Sequence, residues 1–146
     1  MYYWATMEPV DAEDSARIVR HLAERDGWGF QTIERGRNLL SALPQVDPAG
    51  TVLLDSVTAL LANEMFYRKM DTAAPQRVTE DLLALSASVR NFVCVCDDIF
   101  RDAGVYDAWT ERYRVGLARI CRVLAHEFET VCEVTVGVPR VWKGNL

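Results

Sequence analysis

Of the two histidines among the 146 residues, His21 lies in an arginine-bearing stretch and is of a type able to do covalent chemistry. A neutral imidazole nitrogen is a competent nucleophile towards an electrophilic phosphorus. The competing reading is a solvated histidine between Arg20 and Leu22, on the polar side of an amphipathic helix. Arg17 lies four residues earlier, one helical turn away, so it shares the face of His21 and can steady a phosphate. Otherwise it pairs with Glu13. Arg20 and Arg25 add positive charge to the same stretch. Asp55 closes the apolar run Thr51-Val52-Leu53-Leu54, where a carboxylate can hold Mg²⁺ directly or through water, or share with Ser56 the capping of the next helix. Asp97 and Asp98 form a second acidic strand end, suited to a divalent cation, a shared proton or plain solvation. Tyr2, Tyr3 and Trp4 can cover an apolar ligand or bury against protein. His126, near a helix end, favours the helix dipole without chemistry of its own.

These residues need a scaffold, and the patterning supplies one. Short β-rich runs alternate with helical periodicity, the signature of βαβ units around a mostly parallel sheet. Tyr2 to Thr6 reads as a strand. From Asp11 to Arg25 the positions Ala12, Ala16, Ile18, Val19, Leu22 and Ala23 recur at three- and four-residue spacing, which predicts an amphipathic helix stopped near Gly27. Phe30 to Glu34 alternates like an edge strand, and Asn38 to Leu43 makes a short helix ended by Pro44. The turn Pro48-Ala49-Gly50 precedes Thr51 to Asp55, a buried parallel strand whose terminal Asp falls at the carboxyl edge, where open α/β sheets place ligands. Ser56 to Phe66 and Val78 to Val89 are predicted helices separated by a surface loop, Tyr67 to Arg77. Phe92 to Cys96 reads as another buried central strand, with Cys94 and Cys96 on one face as small hydrophobes. A long helix covers about Ala108 to Glu127, Val131 to Val136 is a strand, and Arg140 to Lys143 an antiparallel edge. The expected architecture is three-layered, with helices on both faces of the sheet.

Composition narrows the classes. The length suits one domain spanning 1–146. Half the residues are hydrophobic and a quarter charged, the balance of a globular chain. Sixteen basic against 21 acidic residues give a net charge of −5, which supplies no bulk field to gather nucleic acid. No apolar run approaches the ~20 residues of a membrane span. No secretory signal is visible, and four Cys without a disulfide framework favour reduced thiols and a cytoplasmic location.

Several stretches carry a family pattern when read in order. Tyr3-Trp4-Ala5-Thr6 is similar to a Y-I-A-T strand. Asp11, Glu13, Arg17-Ile18 and His21 follow D-x-E-x-x-x-R-I-x-x-H, and Gly27-Trp28 with Thr32-Ile33-Glu34 follows G-W-x-T-x-E. Leu54-Asp55-Ser56-Val57-Thr58 through Asn63 is similar to V-D-C-L-T-x-W-L-S-N. Tyr113-Arg114, Leu117 and Arg119-Ile120 fit the frame F-R-D-x-L-G-R-L-N, and Gly137-Val138-Pro139 with Lys143-Gly144 fits G-x-P-x-x-x-K-G. Together they resemble the bifunctional adenosylcobinamide kinases and adenosylcobinamide-phosphate guanylyltransferases of cobalamin biosynthesis.

The resemblance implies a P-loop, RecA-like fold, GTP and Mg²⁺ as nucleotide and metal, a corrinoid substrate and a homo-oligomer. It places His21 at the histidine that carries GMP, Arg17 and Arg20 near the nucleotide, and Asp55 at the family's strand-terminal Asp. Departures accompany it. The phosphate loop G-x-x-x-x-G-K-S/T does not occur in these residues, so the expected fold is shortened by a strand and its helix, whether in the protein itself or at a chain boundary. The motif V-S-N-E-V-G stands here as Val95-Cys96-Asp97-Asp98-Ile99-Phe100, and the last Asn of F-R-D-x-L-G-R-L-N is replaced by Cys121. Two functions follow as expectations: a transferase moving GMP from GTP through His21, or a noncatalytic relative acting as an oligomeric binding or scaffolding domain.

Overall fold

Runs of β-branched and aromatic residues form a four-stranded parallel sheet in the computed structural model, which describes residues 1–9, 11–102 and 104–145 and, for residues 14, 15, 17 and 24, the backbone alone. The strands are β1 (Tyr2–Ala5), β2 (Gln31–Glu34), β3 (Thr51–Asp55) and β4 (Asn91–Val95), ordered β2-β1-β3-β4. Between and after them run α1 (Ala12–Glu24), a 3₁₀ segment (Leu39–Gln45), α2 (Val57–Phe66), α3 (Ala74–Ala87) and α4 (Ala108–Glu127), followed by β5 (Val131–Thr135) and β6 (Val138–Lys143).

Register assigns the faces. Trp4 pairs with Ile33 and Leu54, and Leu54 with Cys94. Because side chains alternate along a strand, these residues share one face. It is closed by α2, α3 and α4 through Leu60, Leu61, Leu82, Leu85, Leu117 and Ile120, all buried with Trp4, Val52 and Leu54 in one core. Gly116 lets α4 approach α3: a β-carbon there would sit 2.7 Å from the Pro75 ring. The opposite face, carrying Tyr3, Leu53 and Asp55, meets α1, whose trailing Arg25 lies over the Tyr3 ring. Helices therefore flank both faces, as the patterning predicts.

Two expectations need correction. The stretch at Phe92 to Cys96 is no buried central strand. β4 is the second edge of the sheet, with Val93 and Val95 52% and 42% exposed on the α1 side, where nothing in the described structure fills the space beside them. The apolar stripe of α1 is likewise largely uncovered, Val19 being 66% and Leu22 40% exposed; amphipathic periodicity reports a helix with a sticky side but not that the side is buried. The loop after α2 is shorter than Tyr67 to Arg77, because Pro75 sits in the first turn of α3, where its missing N–H costs nothing. That loop is tied down by Asp71, which accepts from Ala73 N at 2.9 Å and pairs with Arg77 at 2.9 Å; both contacts hold its carboxyl below the usual range.

The antiparallel strand expected at the carboxyl end is β6, and its partner is β5 in a separate two-stranded sheet. Val136 and Gly137 both have positive φ, 49° and 77°, the backbone of a tight two-residue hairpin turn. Lys143 Nζ fastens the hairpin to α4 by donating to the Ala125 and His126 carbonyls at 3.1 and 2.6 Å.

Candidate functional site

The carboxyl ends of β1 and β3 are locked together by Thr6, which is fully buried. Its backbone N–H donates to the Asp55 carbonyl at 3.0 Å, while its hydroxyl accepts from Ser56 N and donates to Ser56 O, each at 2.7 Å. Ser56 is also the N-cap of α2, its Oγ accepting from Ala59 N at 3.2 Å. The capping role weighed for Asp55 thus falls to its neighbour, and the Asp55 carboxylate is left to face the α1 side. There it accepts from the Tyr3 hydroxyl.

Tyr3 is itself covered, the Arg25 guanidinium lying 3.4 Å above its ring in a cation–π contact. Burial first, and the Asp55 hydrogen bond second, push the Tyr3 phenol up to about 12, so it remains a donor at neutral pH. Asn63 of α2 reaches across the same edge, donating its side-chain amide to the carbonyls of Thr6 at 2.7 Å and Gly36 at 3.2 Å. Gly36 is required there. A β-carbon would fall 2.6 Å from the Thr6 carbonyl oxygen and 2.7 Å from Asn63 Nδ2.

These contacts frame a cleft of about 740 Å³ whose lining includes Tyr3, His21, Arg25, Arg35, Asp55 and Asp97. The volume lies within the ~300–1,000 Å³ of small-molecule sites, and the position is the ligand edge of an open parallel sheet. His21 on α1 and Asp55 at the tip of β3 therefore share one cavity. Arg20 is exposed and is not among its lining residues; the Arg17 side chain lies outside the described residues. Glu8 and Glu34 add negative charge to the rim, Glu8 being paired with Arg37 at 2.9 Å.

Around Asp97 the strand end is organised rather than merely solvated. Its backbone N–H donates to Thr58 Oγ1 at 2.9 Å, and Thr58 O accepts from the Tyr113 hydroxyl at 2.9 Å. Asp98 turns away to pair with Arg101 at 2.6 Å. His126 is exposed beside Glu127. Among the described residues no group of three or more His, Cys, Asp or Glu side chains is arranged to hold a metal. The cleft instead offers separate carboxylates, which suits a cation that takes most of its oxygens from substrate and water. Arg35 and Gly36 were not legible as site components, and Tyr3 was legible as an aromatic cover but not as a donor to Asp55; for Asn63 the family pattern marked the position without saying what it touches.

A parallel sheet with a histidine, two arginines and four carboxylates lining the cleft at its ligand edge narrows the field, and the family comparison decides it. The family model described as cobinamide kinase / cobinamide phosphate guanyltransferase matches residues 1–141. The chain belongs to this family. Cobinamide kinases and cobinamide phosphate guanyltransferases work in cobalamin biosynthesis on nucleotide and cobinamide substrates, and kinase- and transferase-like character follows for this member. No curated protein matches the sequence. No helix among the described residues is long and apolar enough to cross a membrane.

Proposed function

We propose that this member of the family is a cytoplasmic guanylyltransferase that carries GMP on His21. The observation that supports it is the common cleft: His21, Arg25 and Asp55 line one cavity, although they come from different elements. An imidazole nitrogen of His21 attacks the α-phosphorus of GTP, pyrophosphate departs, and the phosphate oxygen of cobinamide phosphate then attacks the same phosphorus and frees the histidine. Charge builds on phosphate oxygens in both steps, so fixed cations matter most. Arg25 is suited to that, since its Nε is buried without a hydrogen-bond partner and its guanidinium is braced against Tyr3. The family resemblance also assigns Arg17 and Arg20 to the nucleotide, but Arg20 is not among the residues lining the cleft, which leaves Arg25 the better placed cation. Asp55, oriented by the Tyr3 hydroxyl, would hold Mg²⁺ with phosphate oxygens and water completing the shell. The metal supplies neutralisation of triphosphate charge.

Incubation with α-labelled GTP and Mg²⁺ tests this. The expected product is an acid-labile, base-stable protein adduct, absent in His21→Ala and released by cobinamide phosphate. An equal yield of adduct in His21→Ala would reject the assignment.

A second reading rests on a different observation. Val93, Val95, Val19 and Leu22 are exposed on the same side of the sheet. That uncovered apolar surface favours a noncatalytic member that associates with copies of itself. It requires a defined oligomer in sedimentation and no rise in melting temperature with GTP or ATP; a rise of several degrees counts against it.

A further inference from the structure

Just beyond the last residue of β4, packed against the core next to the cleft residue Asp97, Cys96 and Cys121 bring their sulfurs to 3.3 Å. Cys96 follows the last residue of β4, and Cys121 lies on α4, so the pair bridges two elements separated by 25 residues. Both are half-buried. Thr58 fixes the Cys96 side, its hydroxyl donating to Cys96 Sγ at 3.7 Å while accepting from Asp97 N. The opposing helix is fixed as well, since Tyr113 of α4 donates to Thr58 O. Three elements thus hold the thiols face to face, and a bond of about 2.05 Å requires the sulfurs to close by only about 1.3 Å. Both cysteines stand where the family patterns carry Ser and Asn, so the pairing belongs to this chain.

We propose that Cys96 and Cys121 are a modification site that forms an intramolecular disulfide when the protein meets a hydroperoxide. The two sulfurs share one hydrogen bond that either thiol can donate; with Cys96 as the donor, the bond holds Cys121 below the usual thiol range and Cys96 above it. Cys121 is therefore the sulfur that attacks. Its thiolate takes the terminal peroxide oxygen, giving a sulfenic acid and releasing an alcohol, or water from hydrogen peroxide. Cys96 sulfur then displaces the sulfenic hydroxyl, which leaves as a second water with the Cys96 proton. Two thiols are oxidised by two electrons and one peroxide bond is reduced. Cys94 is a poor competitor: burial pushes its thiol up to about 12.

One equivalent of hydrogen peroxide, followed by thiol titration and peptide mapping under non-reducing conditions, tests the site. The expected result is loss of two of the four thiols, a Cys96–Cys121 cross-linked peptide, a higher melting temperature from the closed loop, and return of both thiols with dithiothreitol. Cys96→Ser and Cys121→Ser should each abolish the cross-link, and Cys132→Ser should leave it intact. An unchanged titre, a cross-link through Cys94 or Cys132, or accumulation of sulfinic acid at Cys121 in the wild-type protein overturns the proposal. The wild-type map alone decides it if a variant fails to fold.

Discussion

Tyr3 shows how one side chain links the core to the chemistry. Its ring supports Arg25 and its hydroxyl orients Asp55, so Tyr3→Phe removes a donor to a carboxylate while leaving the packing. The expected cost is about 1–3 kcal/mol in urea unfolding. The sign of the pH dependence follows from the raised phenol. A group that binds its proton more tightly when folded contributes its stability fully below its unfolded value, 10.0, and loses it as pH rises towards about 12. Tyr3→Phe should narrow the gap to wild type across that alkaline window and show it in full at neutral pH. A gap that stays constant through the window would mean that Tyr3 does not titrate as the burial and the Asp55 bond require. At this scale the sequence disclosed residue types more readily than contacts. His21 and Asp55 stand out by chemistry and by family pattern, but Gly36 and Asn63 are brought together only by the carboxyl edge of the sheet, from positions 27 residues apart.

At the scale of elements, Ser56 matters more than its single hydroxyl suggests. It caps α2 and exchanges two hydrogen bonds with Thr6 through its backbone. Ser56→Ala deletes only the cap and should cost about 1 kcal/mol, measured by chemical denaturation with an unchanged m-value; a loss several times larger would mean that the turn itself had moved. Strands and helices were legible wherever periodicity and burial agree, as in β3, where Val52 and Leu54 are buried, and in α4, where Leu117, Ile120 and Leu124 recur on one stripe. They were misjudged where hydrophobicity and burial part company. In β4 and α1 apolar residues face outward, and no local pattern distinguishes a side chain awaiting the core from one left outside it.

For the whole molecule, cohesion is uneven. β3 lies between two partner strands over the core, whereas among the described residues β5 and β6 pair only with each other, apart from the parallel sheet, and every residue of β6 is exposed. Amide exchange should therefore be slowest at Val52 to Leu54 and faster by orders of magnitude in the hairpin, since local opening there need not disturb the core. Equal protection of the two regions would show that the hairpin unfolds only with the rest. Lys143 is then the hairpin's main tether to α4.

The position of β1 has one more consequence. Strand β1 is an interior one, hydrogen bonded on one side to residues 31–34 and on the other to residues 51–55. During synthesis Trp4 must wait for some fifty further residues to emerge before both neighbours exist. An interruption at Tyr2 would disturb the middle of the sheet rather than its margin, so insertions are better borne at the hairpin turn of Val136 and Gly137.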